Sequence, residues 1–393
     1  MKYSILDLFA GCGGLAYGFK ENRNFQINLA NDIWKPARDT YVYNNPDIPF
    51  ITKDIKNLNK QDIMDYFPNG VSIIIGGPPC QGFSMCGARD VNDKRNDLFY
   101  EYARIVYDTR PYMFLMENVK GLLSMKNRRG NLVINAIEEE FDKIGYNIEY
   151  KVLNSKYYKV PQSRERVIII GIRKDLPNNY QYPYPKLTDE EVYTVRDALW
   201  GLPNKNSIDG ELSLCLENEN KYYNLIKGSG KIFNHEVPKH NKEVEHRMSF
   251  VPQGGNWKDI PVKYRVGGIH SNAYRRLEWD SPSITIKHAY KSMIIHPCFD
   301  RCLSIREVAR LQSFPDDYVF KNSKTSQYQQ LANAVPPNLS TALAKSISEY
   351  LVMNELPIVN KNMDLKDEYF DNNSKLEIQE FRQLSIFDTI NIS

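Results

Sequence analysis

Short apolar runs alternate with helical patterns over residues 1–175, and this alternation restricts the possible folds more than any other feature of the chain. The runs have the length and composition of buried strands. One helical pattern begins at Pro36, a residue favoured in a first helical turn. Strands that alternate with helices predict a parallel sheet covered on both faces, with ligands at the carboxyl ends of the strands. The predicted strands are residues 5–9, 27–30, 71–75, 112–116 and 167–172, and the predicted helices are residues 36–44, 98–106 and 132–144.

The alternation stops beyond residue 175. Residues 176–270 are rich in Asn, Lys, Pro, Tyr and Gly with weak periodicity, which predicts a second, irregular domain. Residues 271–320 predict short strands and a helix over 305–312, and a further amphipathic helix is predicted over 340–352. The resulting domain prediction is 1–185 for a catalytic and cofactor-binding domain, 186–320 for a small domain, 321–353 for a segment returning to the first domain, and 354–393 for a polar extension.

Charge, cysteine content and hydrophobicity exclude few classes of protein. Lys and Arg number 51 against 48 Asp and Glu, so the net charge of +3 does not by itself indicate a nucleic-acid partner. The six cysteines show no paired metal-ligand spacing, so no metal site is expected. No apolar run approaches the roughly 20 residues of a membrane helix, so no membrane partner and a cytoplasmic location are expected.

A glycine-rich loop follows the first predicted strand, at residues 7–14 (DLFAGCGG). Glycines such as Gly11 and Gly13 let the backbone approach a ligand closely, although a tight turn without a ligand would use them too. Asp32 and Asp54 follow the next apolar stretches, where a carboxylate can accept hydrogen bonds from ribose hydroxyls. Together they favour a nucleoside ligand, and the absence of a Walker lysine motif argues against a nucleoside triphosphate.

The segment after the strand at 71–75 carries a candidate nucleophile. Residues 76–84 (GGPPCQGFS) combine two glycines and two prolines in a rigid turn that presents Cys80 at the carboxyl end of a strand. The alternative is a buried structural cysteine, which is the commoner fate of a free thiol. The chain beyond, as far as Arg95, predicts a lid over the site.

Two further segments supply a candidate proton donor and two candidate binding groups. Glu117, followed by Asn118, ends the next predicted strand, where a carboxyl group can donate a proton. Residues 162–166 (QSRER) place Arg164 and Arg166 at alternate positions, so both side chains point the same way on an extended segment. They could bind a base carbonyl or phosphates, or they could form a surface salt bridge with Glu165.

Taken in order, these segments resemble the DNA cytosine-5 methyltransferase family of the bacterial restriction–modification type. Residues 301–307 (RCLSIRE) and 330–337 (QLANAVPP) extend the resemblance, which covers about residues 3–350. The family usually has glycine where this chain has Ala332. The resemblance implies a Rossmann-like S-adenosylmethionine-dependent methyltransferase domain of the α/β class, with a smaller, irregular target-recognition domain.

The resemblance also implies roles for single residues. Cys80 would attack cytosine C6, Glu117 would bind N3 and Arg166 would hold O2, with Arg164 and Asn118 in support and no metal. Asp32 would bind the ribose hydroxyls of the cofactor and Asp54 its adenine amine. Asn333 is distant in sequence, so the helix from Ser340 would fold back onto the first domain. The implied S-adenosyl-L-methionine contacts are Phe9, Gly11, Gly13, Asp32, Ile33, Asp54, Ile55, Pro78, Asn333 and Val335.

The implied substrate is double-stranded DNA with the target cytosine flipped out of the helix. A monomer is expected, and any cognate restriction endonuclease would act separately. Three alternatives remain open at this stage: a transfer-RNA cytosine methyltransferase of the same family, a catalytically inactive DNA-binding relative, and an α/β protein that binds another nucleoside. The predicted DNA contacts are Gln81, Ser84 and Arg95 in the lid, and Arg247, Asn256, Arg265 and Arg275 in the second domain.

Overall fold

A seven-stranded sheet organises the computed structural model, which describes residues 2–79, 97–126, 130–204, 220–266 and 272–358. All five predicted strands are confirmed. The strands are Tyr3–Leu8 (β1), Phe25–Asn31 (β2), Phe50–Ile51 (β3), Ile73–Gly76 (β4), Met113–Val119 (β5), Tyr146–Asn154 (β6) and Glu165–Arg173 (β7).

Helices flank this sheet and make up most of the remaining regular structure. The three helices predicted in the first domain are confirmed as α2, α4 and α5. The helices are Gly14–Glu21 (α1), Lys35–Asn44 (α2), Lys60–Met64 (α3), Asp97–Thr109 (α4), Val133–Lys143 (α5), Val195–Leu199 (α6), Lys221–Ile226 (α7), Lys242–Ser249 (α8), Ile305–Leu311 (α9), Lys324–Asn333 (α10) and Pro337–Met353 (α11).

The sheet is mixed, so the prediction of a wholly parallel sheet is wrong. The strand order is β3-β2-β1-β4-β5-β7-β6, and the first five of these strands are parallel. Strand β7 lies between β5 and β6 and runs antiparallel to both. The connection of residues 155–164 between β6 and β7 is shorter than the dozen or so residues that a parallel crossover requires.

Apolar side chains on both faces of the central strands bury the sheet. In β1, Ile5 belongs to one core cluster and Leu6 and Leu8 to the other. In β4, Ile73 and Ile74 alternate in the same way. One cluster packs under α1 and α11, and the other packs under α4 and α5. This two-sided burial explains why the strands appear in the sequence as continuous apolar runs.

The C-terminal helix α11 returns to pack on α1, as predicted. A Cβ atom at Gly18 would lie 2.2 Å from the backbone nitrogen of Thr341, so glycine permits the contact. The Gly18 N–H donates to Ser340 Oγ at 3.2 Å, and that hydroxyl donates in turn to the carbonyl of Leu15. The two ends of the chain therefore share one core, and Val335, which precedes α11, is brought beside the loop after β1.

Two further clusters of buried side chains lie among the described residues between Val195 and Ala334, and the larger of them also contains Cys12. Arg310 and Asp316 form a fully buried ion pair, with 2.7 Å between Nη2 and Oδ2. Burial opposes the ionisation of Glu307, yet hydrogen bonds from Arg301 lower its pKa to about 2. The predicted helix at 305–312 is confirmed as α9, but the predicted short strands are not found. The described residues 272–320 form only isolated bridges, because this segment passes beside other elements without a continuous partner.

No helix in the described part of the chain is both long and apolar enough to cross a membrane.

We predict that Gly18→Ala weakens the contact between α1 and α11. Alanine favours a helix by about 1 kcal/mol, but its methyl group would meet immovable backbone atoms at 2.2 to 2.6 Å. The free energy of unfolding should fall by about 1–3 kcal/mol, measured by urea denaturation. The control is Glu349→Ala on the exposed face of α11, which should change stability by less than about 0.5 kcal/mol. Equal stability of Gly18→Ala and the wild type would contradict the packing described here.

Candidate active site

A cavity of about 950 Å³ lies at the carboxyl ends of β1, β2, β4 and β5. This is the edge where a sheet of this kind places its ligands, at the point where the order of the strands reverses. The cavity brings together all but one of the predicted catalytic and cofactor-binding residues that the structure describes. Those in its wall are Phe9, Gly11, Asp32, Ile33, Asp54, Ile55, Pro78, Glu117, Asn118, Arg164, Arg166, Asn333 and Val335.

The loop between β1 and α1 is shaped by left-handed backbone conformations. Phe9, Gly11 and Gly13 have φ values of +53°, +56° and +90°. Gly13 does not line the cavity, although it was predicted to bind the cofactor. A Cβ atom there would lie 2.6 Å from the hydroxyl of Tyr318, so Gly13 is required for the turn and for packing. Gly14 is the residue that touches the opposite wall, since a Cβ atom on it would lie 2.3 Å from the Val335 carbonyl.

Asp32 joins the loop after β1 to the end of β2. Its two carboxylate oxygens accept hydrogen bonds from the backbone N–H groups of Gly11 and Trp34, each at 2.8 Å. Burial raises the pKa of Asp32, and the backbone donors partly offset this rise. Asp54 lies on the same wall, where its Oδ1 accepts from the backbone N–H of Lys56 at 3.0 Å.

Asp7 adds a second buried carboxylate to this end of the cavity. It is 1% exposed, and burial raises its pKa well above the ordinary value. The Tyr41 hydroxyl donates to Oδ2 at 3.2 Å, whereas Oδ1 has no hydrogen-bond partner among the described residues. Cys12 lies in the same wall, but burial raises its pKa to about 12, so it remains a protonated thiol.

Strand pairing places Glu117 and Arg166 side by side. Arg166 on β7 lies opposite Val119 on β5, and side chains two residues apart on a strand share a face. Glu117 and Arg166 are therefore diagonal neighbours on one face, with 2.8 Å between Oε1 and Nε. Both side chains are 12% exposed. Gly77 allows the close approach, since a Cβ atom there would meet Glu117 Oε2 at 3.3 Å.

Asn118 fixes the chain that leads to the candidate nucleophile. Its Nδ2 donates to the Pro78 carbonyl at 3.1 Å, and its Oδ1 accepts from the N–H of Val119 at 2.8 Å. The end of β4 is thereby tied to β5. Cys80 follows two residues later and lies outside the described residues, as do Gln81, Ser84 and Arg95.

Several cavity residues were missed by the sequence analysis. Trp34 could have been found from its place just after Asp32. Thr285 and Lys287 carry no sequence signal, because they reach the cavity only through tertiary pairing. The Thr285 hydroxyl donates to the Ser163 carbonyl at 2.8 Å, and the Ser163 N–H donates to the Ser283 carbonyl at 2.8 Å.

The four predicted DNA contacts in the second domain lie away from the cavity. Arg247 and Arg275 form ion pairs with nearby glutamates at 3.4 and 3.2 Å. Asn256 caps a short helical turn through its side-chain oxygen. Arg265 donates to two backbone carbonyls of its own loop at 2.7 and 2.6 Å. The structure assigns a local partner to each of these side chains, and their role toward DNA remains a prediction.

The fold and the cavity define the class of protein: an α/β methyltransferase fold in which the glycine-rich loop after β1 opens into the same space as a carboxylate–guanidinium pair. A family model for C-5 cytosine-specific DNA methylases matches residues 3–349. The chain therefore belongs to the C-5 cytosine-specific DNA methylase family. It is a DNA methyltransferase that modifies carbon 5 of cytosine and uses S-adenosylmethionine as methyl donor.

Individual relatives agree with this assignment. The Type II methyltransferase M.DdeI of Desulfomicrobium norvegicum is 38% identical over 88% of this chain and 89% of its own length. The Type II methyltransferase M1.HphI of Haemophilus parahaemolyticus is 36% identical over 88% of this chain and 87% of its own. Among solved structures, a prophage-encoded E. coli protein described as a DNA modification methyltransferase matches with a TM-score of 0.74 and 26% identity, over 89% of this chain and all of its own.

A likeness to the Dnmt2 methyltransferase of S. pombe is more distant, with a TM-score of 0.58 and 19% identity over 90% of this chain and 99% of its own. It shows a shared fold and does not favour RNA over DNA as the substrate.

The residues of the cavity fit S-adenosylmethionine, which carries a positive sulfonium and a positive amino group. The buried carboxyl group of Asp7 and the partly buried one of Asp32 lie at the end of the cavity formed by the loop after β1. The unpartnered Oδ1 of Asp7 is an acceptor that a cationic ligand can satisfy. Ala332, where the family usually has glycine, lies in the wall beside Asn333.

We predict that Asp32→Asn weakens cofactor binding. An amide has one acceptor oxygen, so either Gly11 or Trp34 would lose its hydrogen bond and the loop would lose its shape. Hydrogen bonds to charged groups contribute about 1.5–3 kcal/mol, so the Kd for S-adenosylhomocysteine should rise by roughly 10- to 100-fold in calorimetry. Asp65→Asn, on the exposed end of α3, serves as the control and should leave the Kd unchanged. An unchanged Kd in folded Asp32→Asn would remove Asp32 from the cofactor site.

Proposed function

We propose that methyl transfer proceeds through a covalent bond between Cys80 and C6 of the flipped cytosine, in a restriction–modification setting. One observation supports this most: Glu117 and Arg166 form a fixed acid–guanidinium pair in the cofactor cavity. The pair stands next to the strand end from which the segment Pro78-Pro79-Cys80 departs. A base held there would meet a proton donor for N3 and a cation for O2.

The first step is attack by the Cys80 thiolate on C6. The S–C6 bond forms, and electrons from the C5–C6 double bond move toward N3 and O2. Glu117 in its protonated form gives a proton to N3, which removes the negative charge that the attack creates. Arg166 holds O2 by charge-assisted hydrogen bonding. C5 thereby becomes an enamine carbon that can act as a nucleophile.

The second step transfers the methyl group and releases the enzyme. Bound S-adenosylmethionine supplies an electrophilic methyl group to this site. Asn118 keeps the Pro78 carbonyl, and with it the start of the Cys80 segment, beside Glu117. After C5 is methylated, its proton passes to solvent, the double bond re-forms as the Cys80 thiolate departs from C6, and N3 returns its proton to Glu117.

We predict that a duplex carrying 5-fluorocytosine at the target position traps the protein covalently. Fluorine cannot leave C5 as a proton does, so elimination stops and the S–C6 bond persists. Peptide mass spectrometry should find the adduct on Cys80, and Cys80→Ser should form none while still binding the cofactor. The matched control is Cys86→Ser, which should be trapped like the wild type. An adduct on Cys86, or substantial turnover by Cys80→Ser, would overturn the assignment.

Target recognition is proposed to reside in the second domain, residues 186–320, while residues 1–185 and 321–353 carry the chemistry. Arg247 on α8, together with Asn256, Arg265 and Arg275 outside the α-helices, carries a side chain able to hydrogen-bond base edges in the major groove. The predicted lid, residues 81–95 with Gln81, Ser84 and Arg95, would contact the duplex from the opposite side.

A domain exchange tests where recognition resides. Val195 N–H donates to the Ser281 carbonyl at 3.0 Å, so residues 195–281 begin and end at one place, which gives the two junctions for an exchange between family members. The exchange spares Thr285 and Lys287 in the cavity wall. A chimera with this region from a family member of different specificity should methylate the donor's site, as measured by bisulfite sequencing. Methylation of the original site would locate recognition elsewhere in the chain.

The biological setting is inferred from the relatives, several of which are named Type II methyltransferases. We infer a monomeric cytoplasmic enzyme that protects host DNA at the nucleoid and works apart from any cognate endonuclease. Methyl transfer from labelled S-adenosylmethionine to DNA, with transfer RNA unlabelled, is the expected result. Labelled transfer RNA with unlabelled DNA would refute this assignment of the substrate.

A further inference from the structure

We propose that Arg164 is a positioning residue that couples binding of the methyl donor to binding of the target cytosine. This inference rests on the proposed function, since it assumes that the base occupies the Glu117–Arg166 end of the cavity. The segment of residues 332–335, here called the closing segment, forms the cavity wall opposite the loop after β1. Arg164 connects this closing segment to the β7 end of the cavity.

The guanidinium of Arg164 holds the closing segment by its backbone. Nη2 donates to the carbonyls of Ala332 and Ala334, each at 2.9 Å. These carbonyls lie on either side of Asn333, which lines the cavity. Because the contact is made to main-chain oxygens, it fixes the path of the closing segment whatever side chains occupy it.

Hydrogen bonds hold the backbone of Arg164 in place. Its N–H donates to Asn154 Oδ1 at 3.1 Å, and its carbonyl accepts from the N–H of Ser155 at 3.0 Å. The residue is 1% exposed and directly precedes β7, which begins at Glu165. Arg164 therefore resists a displacement of the closing segment. Arg166 lies two residues further along the same chain, so the same stretch of backbone also carries Arg166.

Arg164 has two further donor atoms that its contacts with the closing segment do not use. Nε and Nη1 are buried and have no hydrogen-bond partner among the described residues. Burial, and then the charge of Arg166, lower the pKa of Arg164 to about 9, and Glu117 opposes this shift. Two guanidinium groups thus share one nearby carboxylate. An oxygen of the target nucleotide entering the cavity would satisfy these donors and stabilise the cation that holds the closing segment.

Coupling between cofactor binding and base binding follows because Arg164 contacts both the closing segment and the place proposed for the base. The closing segment also packs on Gly14, whose missing Cβ leaves room for the Val335 carbonyl. A cofactor bound against Asn333 and Val335 would strengthen the hold of the closing segment on the Arg164 guanidinium, and a base oxygen bound by Nε or Nη1 would strengthen the same hold from the other side. Each ligand then favours the arrangement that the other requires, and the effect must be reciprocal.

The experiment compares Arg164→Met, Arg164→Lys and Arg166→Lys in the full chain. Three quantities are measured: amide hydrogen exchange of residues 332–341 without ligands, the Kd for S-adenosylhomocysteine, and the factor by which a duplex carrying the mapped target site lowers that Kd. The duplex probe is the methylated product site, so no reaction occurs. Thermal unfolding establishes that each variant is folded.

Arg164→Met should raise exchange in residues 332–341, raise the Kd about tenfold or more, and reduce the coupling factor to near one. Arg164→Lys should be intermediate, because an ammonium keeps the charge but lacks the planar fork. Arg166→Lys is the matched control: it should lose turnover while keeping wild-type exchange and a Kd within about twofold.

A lower cofactor affinity with an unchanged coupling factor would overturn the inference, since a merely structural Arg164 would behave in that way. Wild-type exchange in Arg164→Met, or equal exchange effects in Arg166→Lys, would also overturn it. Trapping by 5-fluorocytosine reports on the covalent mechanism independently. If 5-fluorocytosine does not trap the protein at Cys80 but Arg164→Met still reduces the coupling factor to near one, the proposed covalent mechanism is refuted and the inference about Arg164 stands.

Discussion

The contact between the two ends of the chain is the constraint on which the active site depends. The loop after β1 can bind a nucleoside only if a second wall faces it, and that wall comes from residues more than 300 positions away. Two glycines make the approach possible, since a Cβ atom on Gly14 or Gly18 would collide with the backbone at Val335 or Thr341. The cofactor site is therefore a product of the whole fold, and α11 is as necessary to it as the glycine loop is.

Charge divides the cavity into two ends with opposite character. At one end lie the carboxyl groups of Asp7 and Asp32, whose pKa values are raised by burial, so that a cationic ligand beside them would favour their charged form. At the other end burial lowers the pKa of Arg164 beside a second guanidinium. A cationic methyl donor and a base that accumulates negative charge have the complementary signs. Electrostatic groups fixed before the reaction need no rearrangement as charge develops, which is a main source of enzymatic rate enhancement.

Local motifs determined how much of this site the sequence could predict. Phe9, Asp32 and Glu117 could be placed because each directly follows or ends an apolar strand, and the strand ends share one edge of the sheet. Thr285 and Lys287 could not, since pairing between residues 161–163 and 283–285 is a tertiary event with no periodic signal. Gly13 was assigned to the ligand because the pattern does not distinguish a glycine that makes room for a ligand from one that makes room for Tyr318.

The mixed sheet, which the sequence analysis took to be parallel, is what completes the catalytic end. Residues that precede a parallel strand lie at the amino edge of the sheet, away from any ligand. Residues 162–166 precede and open β7, so they reach the carboxyl edge only because β7 runs in reverse. That reversal sets Arg166 opposite Val119 and within reach of Glu117. The motif of residues 162–166 stands before its strand and not after it. This position in the sequence was the signal that β7 had to be antiparallel.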